Sequence, residues 1–154
     1  MSDHLTPAQR HQCMQNIRSK GTKPEMIVRQ YLHAHGFRYR LHHDRLPGHP
    51  DLVLRKYRTC IFVNGCFWHG HEGCRYYTIP KTNTDFWKSK VVRNRKRDEE
   101  EFARLKAMGW NTVIVWECQL KPATREQTLK SLCYTLNHIQ LLNIGAKIYG
   151  PAKD

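Results

Sequence analysis

Asp51-Leu52-Val53-Leu54 and Cys60-Ile61-Phe62-Val63, separated by the polar turn Arg55-Lys56-Tyr57-Arg58, are the segments on which the fold turns. Both are short, branched and apolar, the composition of strands that pack on a buried pleated surface. They read as adjacent strands of one sheet, with Asp51 at the entrance of the first. Just upstream, Leu46-Pro47-Gly48-His49-Pro50 forces a break in the chain, because proline removes backbone donors and glycine opens unusual torsions. Before the break, Phe37, Tyr39 and Leu41 alternate with Arg38 and Arg40, the period of a half-buried strand. Further on, Thr112-Val113-Ile114-Val115-Trp116 is the most strand-like run in the chain. A long charged helix, capped by Thr84 and ended by Gly109, stands between it and the central pair. That βαβ order places the run in the same sheet and delivers Cys118 to its far end. Phe86, Val91, Phe102 and Leu105 are the expected inward positions of the long helix.

A helix is predicted after Gly21, where Thr22 and Glu25 have capping-box spacing; it carries Ile27, Val28, Tyr31 and Leu32 and stops at Gly36. Thr6-Pro7 opens a short basic helix within residues 1–20, with Met14 and Ile17 three apart on one face. Thr124 caps a last amphipathic helix over 124–142 bearing Leu129, Leu132, Leu136, Ile139 and Leu142. At 154 residues, the chain has room for one α/β domain with a real core and is too short for two of ordinary size.

Lys and Arg number 26 against 13 Asp and Glu, a formal charge of +13 that attracts polyphosphate through counterion release. Nucleic acid is the partner this points to, although charge alone does not separate an enzyme from an architectural protein. No run is long and apolar enough for a membrane span, and Met1 to Arg10 lacks a signal-peptide core, so a soluble cytoplasmic protein is expected.

From Gly65 to Asn83 the periodicity disappears, and cysteine, histidine, glycine and aromatics crowd together. Such a loop needs an organiser other than a hydrophobic core. Cys66, His71 and Cys74, joined by Cys118, form a donor set suited to tetrahedral zinc. Four protein ligands leave no open position, which makes the metal structural. Buried free cysteine is the plainer alternative for any one of them, and Cys60 and Cys133 are read that way.

Phosphodiester hydrolysis calls for a carboxylate that holds a hard cation, usually magnesium. Asp51 is the candidate, with the Val63 carbonyl as a second oxygen ligand; a turn-capping role for Asp51 stays open. His69 suits proton transfer near neutral pH, or else serves as a further zinc ligand. Asp98 is placed to orient His69, unless it belongs only to the charge run Lys96-Arg97-Asp98-Glu99. Glu25 is explained by helix capping and is a secondary candidate for holding a metal-bound water.

Pro47-Gly48-His49-Pro50-Asp51, Gly65-Cys66-Phe67-Trp68-His69 and Trp116-Glu117-Cys118 resemble, in order and separation, the signature blocks of the very-short-patch repair (Vsr) DNA mismatch endonucleases. The resemblance runs from about Met14 to Leu120. It implies a restriction-endonuclease-like fold, a central mixed β-sheet flanked by helices with a zinc-bound loop. It also implies magnesium on Asp51 and the Val63 main-chain oxygen, His69 in proton transfer supported by Asp98, and zinc on Cys66, His71, Cys74 and Cys118. The loop between His71 and Cys74 is one residue longer than the family pattern. Asn64 stands where the family carries a histidine; it cannot exchange a proton at neutral pH but can hydrogen-bond a metal water.

By the same resemblance the substrate is double-stranded DNA bearing a T:G mismatch, with Phe67, Trp68 and Trp87 wedged between base pairs and Met14 and Ile17 pressing from the opposite groove. Lys88, Lys90, Arg93, Arg95 and Arg97 are expected to contact phosphates. A monomer with repair-protein partners is expected. Two other functions fit the composition: a zinc-stabilised DNA-binding module without catalysis, and a restriction-type endonuclease on matched duplex.

Overall fold

The computed structural model describes Thr6, residues 21–43 and residues 45–149, the last seven as backbone. The helix expected within residues 1–20, with Met14 and Ile17, lies outside the described residues. Helix α1 spans Lys23–Ala34; the Thr22 side chain accepts from the Glu25 N–H, and Pro24 sits in the first turn, where its missing donor costs nothing. The capping box closes one residue off the expected pattern, because the Glu25 carboxylate takes the N–H of Gly21 at 3.2 Å. Glu25 is buried beside Val28 and Leu32 on the inner face of the helix.

Four strands form one sheet in the order β1 (Arg40–Leu41), β2 (Leu52–Leu54), β3 (Thr59–Asn64) and β4 (Asn111–Trp116). The first two pairings are antiparallel and the last is parallel, a mixed sheet. The strand expected from Phe37 is only Arg40–Leu41, since Phe37 instead turns into the core against Tyr57, ring centroids 5.4 Å apart. Helix α2 (Thr84–Ala107) makes the crossover from β3 to β4.

Two sequence expectations about α2 are corrected. Asn83, in the left-handed region, is the N-cap, and Thr84 lies inside the helix with its hydroxyl donating to the carbonyls of Pro80 and Lys81. Phe86 does not enter the core but is 54% exposed against Trp87. The last helix, α3 (Arg125–Tyr149), runs past 142. The Thr124 hydroxyl donates to the carbonyls of Cys118 and Gln119 in the preceding 3-10 turn, and Leu142 is exposed.

Period-two alternation divides the core between the faces of the sheet. Leu52, Leu54, Ile61 and Val115 pack with Val28 and Leu32 of α1 and Leu129, Leu132 and Leu136 of α3. On the other face Val53, Cys60 and Phe62 meet Leu105 and Phe102 of α2. With both faces covered, the ends of the strands are left to carry function. No helix among the described residues is long and apolar enough to cross a membrane.

Ile61 is fully buried at the centre of β3. Ile61→Ala should therefore lower unfolding free energy by about 2–5 kcal/mol in urea titration, and a loss under 1 kcal/mol would show that the helices of that face do not pack as described.

Candidate active site and metal centre

A cleft of about 560 Å³ opens at the end of the sheet, lined by His42, Asp51, Val63, Asn64, His69 and Asp98 among others. The turn before β2 shapes one wall. Gly48 and His49 both have positive φ, and a side chain on Gly48 would come within 3.1 Å of the Phe62 ring, so only glycine fits there without displacement. This turn aims Asp51 across β3, where its Oδ2 accepts the Val63 N–H at 2.8 Å.

Asp51 does not stand alone. Glu25 from α1 and His42 after β1 converge on it, with one ligand atom of each within 4.8 Å of the others. Burial, opposed by the Val63 hydrogen bond and reinforced by the neighbouring Glu25 charge, pushes the Asp51 carboxyl up to about 6. Two neighbouring carboxylates, Asp51 on the cleft and Glu25 buried beside it, are donor chemistry that a hard divalent cation satisfies, because the cation offsets both the desolvation and the repulsion. A magnesium ion fits these residues on that ground.

On the opposite wall, His69 Nδ1 lies 2.6 Å from Asp98 Oδ2 of α2. A carboxylate on Nδ1 fixes the tautomer that leaves Nε2 as a proton acceptor. The loop holding His69 is pinned on either side by the same helix. Asn94 donates to the Trp68 carbonyl at 2.8 Å, and the Arg95 guanidinium grips the Gly70 carbonyl. Arg95 also pairs with Glu72 at 3.0 Å, so it is engaged in holding the loop, where the sequence reading made it a phosphate contact. Asn64 ends β3, buried, and lines both the cleft and a second cavity of about 420 Å³ behind His69.

Cys66, His71, Cys74 and Cys118 bring one ligand atom each within 4.8 Å of one another and could hold a metal ion. Gly73, at φ +72, lies in the turn between His71 and Cys74, closed by the Cys74 N–H donating to the His71 carbonyl at 3.3 Å. The His71 ring lies flat on Trp116, centroids 4.1 Å apart. Burial pushes the Cys66 thiol up to about 12, opposed by the Cys118 N–H, so filling the group with a cation must expel its proton. Cys60 and Cys133 lie apart as free thiols, as expected.

Phe67, Trp68 and Trp87 form one edge-to-face cluster with centroids 5.2–5.9 Å apart, and Lys90 lies over Trp68 and Trp87. Lys88 and Arg93 are exposed on α2. Sequence reasoning missed His42, Asn94 and the clamp made by Arg95. Asn94 and Asp98 stand four apart on one face of α2, a spacing visible in the sequence, whereas nothing local marks His42.

A Cβ on Gly70, at φ +61, would collide with Arg95 and sit 2.6 Å from buried Val91 Cγ1. Gly70→Ala should cost about 2–4 kcal/mol in chemical denaturation, because the loop that carries His69 must move off α2. Wild-type stability in that variant would show that the loop does not press on α2.

The family model for DNA mismatch endonuclease Vsr matches residues 2–75. The type II nicking enzyme V.XorIIP of Xanthomonas oryzae is 49% identical over 120 residues, covering 78% of this chain and 88% of the relative. V.NmeAIP, a type II nicking enzyme of Neisseria meningitidis, is 47% identical over 79% of this chain and 86% of its own. The DNA mismatch endonuclease Vsr of Escherichia coli is 39% identical over 121 residues, covering 79% of this chain and 77% of its own. At such identity over most of each partner's length, the chain belongs to the Vsr family of DNA mismatch endonucleases.

Proposed function

We propose that the chain nicks one strand of duplex DNA beside a T:G mismatch, the lesion left by deamination of 5-methylcytosine, by magnesium-dependent phosphodiester hydrolysis. The observation that carries this reading is that Asp51 and the His69–Asp98 pair open onto one cleft. The names of the relatives, one a DNA mismatch endonuclease and others nicking enzymes, support it.

Asp51 and the main-chain oxygen of Val63 would hold the magnesium ion, with Glu25 holding its water. Bound there, magnesium supplies Lewis acidity to a phosphoryl oxygen and stabilises charge on the leaving oxygen. His69 moves a proton at Nε2, and Asp98 stabilises the charged imidazole that results. Asn64 contributes an amide hydrogen bond at the cleft wall without exchanging a proton.

Phe67, Trp68 and Trp87 form a ready-made wedge whose insertion costs less at a weakened T:G pair than at a matched one. Lys88, Lys90 and Arg93 set the register on phosphates. Three thiolates and an imidazole suit zinc, which Cys66, His71, Cys74 and Cys118 would hold without an open position and which would brace the loop against the sheet. A DNA-binding module without catalysis would leave the Asp51 and His69 constellation idle, so the enzyme reading is favoured.

With T:G and T:A duplexes and magnesium, wild type should nick the T:G duplex selectively, and Asp51→Asn should reduce nicking roughly a hundredfold or more. Equal cutting of both duplexes would remove the mismatch preference, and an active Asp51→Asn would remove the mechanism. Cys118→Ser should drop zinc below one equivalent and lower Tm by roughly 10 °C, as read by metal analysis and thermal melting. Unchanged zinc content would exclude Cys118 as a ligand.

A further inference from the structure

His42 is the residue of the cleft that touches both carboxylate-bearing residues. Its main-chain N–H donates to the Asp51 carbonyl at 3.2 Å, continuing the β1–β2 pairing. Its Nε2 donates to Glu25 Oε1 at 2.9 Å. The other oxygen of Glu25 accepts from Gly21 N–H, just before α1, at 3.2 Å and from Arg29 Nη1, one turn further along α1, at 3.4 Å. His42 is thus the partner that ties Glu25 to the sheet. The Glu25 side chain is only 2% exposed, so its position is set by these bonds and not by water.

The backbone tells the same story. His42 has φ +48, a left-handed conformation that a non-glycine residue adopts at a cost, and that conformation turns its ring toward α1. Two neighbouring carboxylates repel, and although Val28 and Leu32 pack α1 on β2, apolar packing does not fix where the Glu25 carboxylate lies relative to Asp51. A hydrogen bond from a residue already fixed to the Asp51 main chain holds them together.

We infer that His42 is a positioning residue whose main chain grips Asp51 and whose imidazole grips Glu25, so that the two carboxylates form one preassembled cation-binding edge before DNA arrives. This rests on the reading that Asp51 holds the divalent cation. It assigns to His42 the affinity for that cation, and leaves the rate at saturating metal to Asp51 and His69.

The test uses the full-length, zinc-loaded protein with Mn²⁺ alone as probe, its binding followed by electron paramagnetic resonance without DNA. Asn tolerates the left-handed backbone but is too short to reach Glu25, whereas the amide of Gln reaches about as far as Nε2. His42→Asn should weaken Mn²⁺ binding about tenfold, the loss of one charge-assisted hydrogen bond, and His42→Gln should restore it to within about threefold. Nicking by His42→Asn should need more metal yet reach a plateau within about threefold of wild type. In a Glu25→Gln background, His42→Asn should add little further loss.

Wild-type Mn²⁺ affinity in His42→Asn, a His42→Gln no better than His42→Asn, or fully additive losses with Glu25→Gln would each overturn the inference. If His42→Asn melts far below wild type, the comparison of His42→Gln with wild type decides. Asp51→Asn separates the two levels: if it keeps Mn²⁺ binding and nicking, the underlying reading fails. If it loses both while His42→Asn matches wild type, only the role of His42 fails.

Discussion

A loop without regular backbone pairing has to present His69 to the cleft, and an imidazole misplaced by an ångström is of little use to chemistry. Between Gly65 and Asn83 the chain has no strand or long helix of its own, so external bonds supply the order. Asn94, Arg95 and Asp98, successive inner positions of α2, clamp the loop at Trp68, Gly70 and His69. Just past the end of β4, the Cys118 N–H donates to Cys66 Sγ at 3.4 Å and ties the same loop to the sheet, a tie that a metal on Cys66, His71, Cys74 and Cys118 would reinforce. Rigid elements thus carry the geometry, and the loop only displays it.

The opposite wall follows a different logic. Asp51 and Glu25 are acidic groups in a chain of formal charge +13, where the general field draws in the polyanion but does not place a cation. Local burial and mutual repulsion make the carboxylate pair a high-energy arrangement, which is the sort of stored cost found where a protein awaits a ligand. The left-handed His42 and the Gly48-His49 turn on either side of Asp51 are part of the same cost. Stability of the surrounding three-layer core sustains it.

Much of this was legible in the chain itself. β2, β3 and β4 declared themselves by short branched runs, α1 by its cap and periodicity, and α2 by its length and the glycine that ends it, because those signals are local. Asp51 and His69 could be singled out by chemistry, but turn capping for the one and zinc ligation for the other stayed open until the fold placed both residues on one cleft. His42 was not readable: its contact with Glu25 spans 17 residues and exists only through the β1–β2 register. Arg95 was hidden inside a basic run where any cation looks like a phosphate contact. Phe86 was misjudged because helical period cannot distinguish a core face from an exposed aromatic cluster, and Thr84 because its hydroxyl serves the loop behind it.

The parallel pairing of β3 with β4 has a consequence for how the molecule assembles. Thr59 meets Asn111 and Asn64 meets Trp116, contacts that span 52 residues and must wait for the whole of α2. Pairings so distant along the chain form slowly, because the intervening loop has to close first. Cys66, His71 and Cys74 emerge together, but Cys118 comes into range only when β4 docks. Folding should therefore lock the His69 loop in two steps, first onto Asn94, Arg95 and Asp98 of α2 and last onto Cys118 when β4 docks.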